Sequence, residues 1–220
     1  MSLNQYIDHT LLKPDATKAQ IEKLCAEAIE NKFFSVCVNS SYVPLCHKLL
    51  KGTSVKVCAV VGFPLGAMDT GSKAFETKKA IENGATEVDM VIHVGAVKDN
   101  DVHYLKNDIV AVVSAAGGNK VKVIIETSLL SREEKILACQ ASLDAKAHFV
   151  KTSTGFNGGG ATVEDIELMK SVVGTNMEIK ASGGIKTVEQ AQALLAAGAT
   201  RLGTSSGVAL TKGQAVGGGY

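Results

Sequence analysis

Gly84-Ala85-Thr86-Glu87-Val88-Asp89-Met90-Val91-Ile92 closes a helical pattern on a glycine and passes at once into a largely apolar run. Glycine reaches the positive-φ conformation that ends a helix, and β-branched residues favour the pleated strand that follows. Gly198-Ala199-Thr200-Arg201-Leu202-Gly203 makes the same move near the other end of the chain. One structural unit, helix stop then strand, is used more than once.

Working outward from these two segments, eight short runs read as strands: 6–10, 33–38, 55–61, 87–92, 121–125, 148–151, 177–180 and 201–203. They are near-continuously apolar, as in strands covered on both faces. Helical patterns follow each, at about 17–31, 41–51, 71–83, 97–116, 131–143, 162–173, 187–197 and 205–212. Thr17-Lys18-Ala19-Gln20 is a capping box, and Ile21, Leu24, Cys25, Ala28 and Ile29 follow on one helical face. Ser131 with Glu134, and Thr187 with Gln190, open two later helices in the same way. Eight βα units in 220 residues point to one α/β domain, a single (β/α)8 TIM barrel over residues 1–212. A doubly wound open sheet is the competing arrangement, because pattern alone does not establish closure. Residues 213–220 are a glycine-rich C-terminal tail, expected to be flexible.

Composition narrows the function classes. Hydrophobic residues make up 45%, enough for a large core, and 23 Lys+Arg stand against 22 Asp+Glu. That balance argues against nucleic acid or an anionic membrane as a partner, though a local site for a small anion stays open. Cys25, Cys37, Cys46, Cys58 and Cys139 lack CxxC spacing and read as reduced thiols of a reducing compartment. The first residues lack the basic and apolar regions of a signal peptide, so the expected location is cytoplasmic. The five histidines show neither HxH nor HExxH spacing, which speaks against a metal site. No heptad seam stands out, and a homo-oligomer is neither required nor excluded.

In a barrel the C-terminal ends of the strands build the active site. The sixth run delivers Lys151 there and the seventh delivers Lys180. A rim lysine can snorkel to water, but two on neighbouring strands suggest chemistry. Mutual repulsion and desolvation are expected to lower the amine pKa, producing a neutral nucleophile that condenses with a carbonyl. The residues alone do not say which lysine that is. Asp89 sits inside the fourth run, as a proton shuttle or as half of a structural ion pair. Asp8 and Thr10 close the first run and extend such a relay, or simply plug the barrel end. Glycine-rich turns follow the last two runs, with Gly183 and Gly184 in one and Gly203, Ser205 and Ser206 in the other. Those are the positions where barrels often cradle phosphate. Cys37 reads as a small core thiol, or as a point of inactivation should it face the mouth. Thr154 follows Lys151 closely and is a further substrate-pocket candidate.

Seven motifs together resemble the deoxyribose-phosphate aldolase family. They are Ile7 to Pro14, Val36-Cys37-Val38-Asn39, Val61 to Gly66, Glu87 to Ile92, Lys122 to Thr127, Phe149 to Phe156 and Ile179 to Ile185. The resemblance spans essentially the whole chain. It implies a class I aldolase of deoxyribonucleoside catabolism, using no cofactor. Such an enzyme cleaves 2-deoxy-D-ribose 5-phosphate to D-glyceraldehyde 3-phosphate and acetaldehyde. It also implies that Lys151 forms the Schiff base, with Lys180 and Asp89 assisting proton transfer. Tyr220 matches a C-terminal tyrosine that enters the site in relatives. His93 departs from the Asn expected in many of them. The alternatives are another phosphosugar barrel enzyme, such as an isomerase using Asp89 as base, and a non-catalytic phosphosugar-binding barrel.

Overall fold

Each apolar run becomes a strand because a helix covers one side and the barrel lumen withdraws the other from water. A computed structural model describes residues 3–214. Its strands are β1 (Ile7–Leu11), β2 (Ser35–Asn39), β3 (Lys56–Val61), β4 (Glu87–Val91), β5 (Lys120–Ile124), β6 (Phe149–Lys151), β7 (Glu178–Ser182) and β8 (Arg201–Thr204). All neighbours are parallel, and β1 pairs with β8 through Asp8 and Gly203. The barrel is closed, which removes the open-sheet alternative.

The helices are α1 (Lys18–Glu30), α2 (Val43–Leu49), α3 (Thr70–Glu82), α4 (Val94–Lys98), α5 (Val102–Ala115), α6 (Arg132–Asp144), α7 (Val163–Val173), α8 (Val188–Ala196) and α9 (Gly207–Thr211). The three expected capping boxes all form, at Thr17, Ser131 and Thr187. Gly84 and Gly198 take φ of 108° and 120°, as helix stops should. One expected helix divides. The 97–116 pattern is interrupted at Asp99-Asn100-Asp101, where Asn100 adopts φ 53° and Asp101 caps α5 through the Tyr104 amide. Asp and Asn bond to nearby backbone more readily than they extend a helix. The seventh strand runs on to Ser182, so Lys180 lies in its body rather than at its end.

Alternation along the strands splits the interior into two zones. Outward-facing residues such as Val36, Val57, Ala59, Val88, Met90, Val121, Val123, Val150 and Ile179 join the helices in one apolar layer. The lumen carries a small apolar cluster, Leu12, Cys37, Cys58 and Val60 with Phe63, and the buried ring of Phe149 beside Lys122 and Arg201. Its remaining positions include Asp8, Glu87, Asp89, Lys122, Lys151, Lys180 and Arg201, all buried. Among the described residues no helix is long and apolar enough to cross a membrane.

A second buried charge fixes the outer layer. Lys73 on α3 donates to Asp108 on α5 at 2.6 Å and to the Val91 carbonyl at the end of β4 at 3.0 Å. Thr70 donates to the other Asp108 oxygen at 2.9 Å. Removing one partner of a buried ion pair strands the other in a poorly hydrated place, typically at about 3–5 kcal/mol. Lys73→Met should therefore lower the unfolding free energy in urea by that amount. The double variant with Asp108→Leu should recover most of the loss. Equal stability of single variant and wild type would show that the pair fixes nothing.

Candidate active site

Asp89 is the centre of the lumen. Its Oδ2 accepts from Lys151 and from Lys180, each at 2.8 Å. Its Oδ1 accepts from Lys122 at 2.7 Å and from the Cys58 thiol at 3.1 Å. Lys180 continues to Asp8 Oδ2 at 2.5 Å, and Asp8 Oδ1 accepts from Ser35 at 2.6 Å and Arg201 at 2.9 Å. Glu87 closes the network, with Lys122 at 2.6 Å and Arg201 at 3.0 Å. Strand register explains the convergence. Lys151 and Lys180 are direct partners on β6 and β7, and Asp89 pairs with Lys122 across β4 and β5.

The geometry keeps the second lysine charged. Burial alone pulls Lys180 down, but Asp8 and Asp89 outweigh both it and the repulsion from Lys122, so its pKa is raised. Lys122 is raised as well, because Asp89, Cys58 and Glu87 overcome its burial. Asp89 runs the other way. Burial pushes it up, yet Lys122, Lys151 and Lys180 together hold it well below the ordinary carboxylate range. Lys180 is thus a charged partner of Asp89.

The other expected site residues divide into groups. Asp8 belongs to the network, whereas the Thr10 hydroxyl donates to the Asp8 carbonyl at 2.8 Å. Cys37 is buried in the lumen as the register partner of Cys58. The hydrogen bond with Cys58 lowers the Cys37 thiol against its burial. The Cys37 and Cys58 sulfurs and the Asp89 carboxylate lie within 4.8 Å of one another. A metal ion entering there would have to displace ammonium groups from Asp89. Thr154 is buried and binds Glu126 through its amide at 3.0 Å and its hydroxyl at 2.5 Å. Gly183 and Gly184 form a turn after β7 at φ 85° and 72°, packed against Gly160. Ser205 is exposed and Ser206 half-buried ahead of α9. Gly203 is not in that loop. It lies in β8, where a Cβ would meet Ser182 Oγ at 2.2 Å and Lys180 Cε at 3.0 Å, so its bareness makes room for both. Tyr220 lies outside the described residues. His93 accepts from the Ala96 amide at 3.1 Å and caps α4, a task Asn performs equally well.

Lys122, Glu87, Arg201, Ser35 and Glu126 were missed by the sequence reading. Their signal was available in part: Glu87 stands two residues before Asp89, and Lys122 two after Lys120. Polar side chains at period two within apolar runs mark one wall of a barrel. Glu126 gave a weaker signal. It is fully buried at φ 56°, and besides Thr154 it accepts from Asn157 at 2.9 Å. Its carboxylate clamps the loop that follows Lys151.

A profile described as DeoC/LacD family aldolase matches residues 3–213. The chain belongs to this aldolase family. It is 69% identical to a deoxyribose-phosphate aldolase of Bdellovibrio bacteriovorus over 220 residues, covering the whole of both chains. It is 60% identical to one of Streptococcus gordonii, again over the full length of both. The tetrameric deoxyribose phosphate aldolase of Aeropyrum pernix superposes with a TM-score of 0.90 at 33% identity, over 96% of this chain and 89% of that one. For an aldolase of this family, the buried ionic lumen at the mouth of the barrel is the candidate active site.

The same network makes stability depend on acid. The Asp8 carboxyl is depressed, because Lys180, Lys122 and Arg201 outweigh its burial. A depressed carboxyl contributes stability above its unfolded value of ~3.9 and loses it as pH falls toward the folded value. Asp8→Asn should cost about 3 kcal/mol at pH 7 and flatten the decline below about pH 4. Urea midpoints followed from pH 7 to pH 2 would test this, and parallel curves for variant and wild type would contradict it.

Proposed function

We propose that the chain reversibly cleaves 2-deoxy-D-ribose 5-phosphate to D-glyceraldehyde 3-phosphate and acetaldehyde, with Lys151 as the Schiff-base nucleophile. One observation carries the assignment of the lysine. Lys122 touches Asp89 and Glu87, and Lys180 touches Asp8 and Asp89, whereas Lys151 has a single carboxylate contact. Lys151 is also the one of the three with any exposure, at 3% against 0% for Lys122 and Lys180. Charge counting agrees. Lys122, Lys180 and Arg201 balance Asp8, Glu87 and Asp89, which leaves Lys151 as the surplus cation. Its proton can leave with one contact broken.

The chemistry then follows. The free amine of Lys151 attacks C1 of the open-chain sugar, and loss of water forms an iminium ion. A base removes the C3 hydroxyl proton, the C2–C3 bond breaks, and its electrons enter the iminium to give an enamine. D-Glyceraldehyde 3-phosphate departs. Protonation at C2 and hydrolysis release acetaldehyde and restore the amine. With the Lys151 contact withdrawn, Asp89 has an acceptor position open and relays protons along this route together with Lys180, kept charged by Asp8; positioned groups of this kind typically contribute ~10²–10⁴-fold. The iminium is the electron sink, so the route calls on no cofactor or metal. The turn at Gly183 and Gly184, with Ser205 and Ser206, holds the phosphate, and Thr154 shapes the pocket wall through Glu126. The tetrameric Aeropyrum pernix relative supports a homo-oligomeric state for this chain as well.

Borohydride reduction in the presence of acetaldehyde should add one two-carbon unit at Lys151, located by peptide mass spectrometry. Lys151→Arg keeps the charge and loses the nucleophile. It should depress cleavage by more than about 10⁴-fold, the scale on which losing a covalent nucleophile acts. Retained turnover in that variant would favour an isomerase-like reaction without a covalent intermediate.

A further inference from the structure

Ser182 is a hydroxyl with nothing to do in the network described above. It follows Lys180 by two residues on β7, so both side chains point into the lumen, and Ser182 stands one pleat nearer the mouth. Its backbone is fixed on both sides by one threonine. The Thr152 hydroxyl donates to the Ser182 carbonyl and accepts from the Ser182 amide, each at 3.1 Å. The Ser182 Oγ is buried and forms no hydrogen bond with any described residue. A buried hydroxyl without a partner is destabilising, so its presence calls for an explanation. Its register partner on β8 is Gly203, and any side chain there would collide with this oxygen. Two strands therefore cooperate to keep one free hydroxyl at a defined point of the mouth.

That point lies along the chain between Lys180 and the turn at Gly183 and Gly184. On the reading in which Lys151 holds C1 and the turn holds the phosphate on C5, the substrate must cross the wall where Ser182 stands. The carbon next to the phosphate-bearing carbon is C4, and it carries a hydroxyl. We propose that Ser182 is a specificity-determining residue that hydrogen-bonds the C4 hydroxyl of the sugar phosphate. This assignment rests on the aldolase reading given above. In the synthetic direction the same contact falls on the 2-hydroxyl of the acceptor aldehyde.

The test uses the full-length chain and Ser182→Ala, with acetaldehyde as donor and two phosphorylated acceptors. One is D-glyceraldehyde 3-phosphate and the other is 3-phosphopropanal, which lacks the hydroxyl in question. A single neutral hydrogen bond is worth about 0.5–1.5 kcal/mol, hence roughly 2- to 13-fold in kcat/KM. The variant should lose that factor with D-glyceraldehyde 3-phosphate and retain wild-type kcat/KM with 3-phosphopropanal. Exchange of acetaldehyde methyl protons with deuterium oxide needs only the imine and enamine, so it should match wild type. Equal losses with both acceptors, or none with either, would overturn the assignment and leave the aldolase reading standing. A wild-type chain inert toward both acceptors and in exchange would sink that reading, and this assignment with it.

Discussion

The saturation of one carboxylate organises this molecule. A carboxylate offers about four acceptor positions on two oxygens. Asp89 fills them with Lys122 and Cys58 on one side and Lys151 and Lys180 on the other. The donors come from β3, β5, β6 and β7, so a single side chain on β4 ties together more than half the barrel wall. Each buried ion forgoes several kcal/mol of hydration, and only dense mutual pairing returns it. The apolar layer outside the strands supplies the stability that lets the lumen keep this arrangement. Fold and site are therefore separable in space but not in energy.

The two zones also explain what could be read from the sequence. All eight strands were legible because the outer layer imposes long apolar runs, and the helices because their caps are local features. Closure was not legible, since the β1–β8 pairing joins residues nearly two hundred positions apart and leaves no local mark. Lys151, Lys180 and Asp89 stood out as charges within apolar runs. Lys122 and Arg201 were lost because they are the second and the first residue of their runs, where a charge passes for a solvated strand end. Their burial is decided by tilt and stagger of the barrel, which pattern alone does not encode. The carboxylates that keep Lys180 charged were not legible for a related reason. Two neighbouring cations repel only until the carboxylates facing them are counted, and Asp8 comes from the opposite end of the chain.

Glycine at 203 illustrates how one position serves several strands. In sequence it looks like loop material, a ready place for phosphate. In the barrel it is wall, and its missing side chain admits the Lys180 stem and the Ser182 hydroxyl. A methyl group there would push Lys180 away from Asp8 and Asp89 together. The charged partner, the free hydroxyl and the bare glycine are one packing solution spread over β7 and β8.

The charge count bears on the proposed carbon–carbon cleavage itself. With Lys151 neutral, the remaining cations and anions of the lumen match. Formation of the iminium reinstates a positive charge on that nitrogen, beside Asp89 but also facing the ammonium of Lys180. Bond breaking converts the iminium into a neutral enamine, which returns the lumen to balance. A poorly hydrated site magnifies such differences, because little water is present to screen them. The cations fixed around Asp89 therefore favour electron flow toward the nitrogen. The placement of that surplus charge on the least encumbered lysine follows from the strand register.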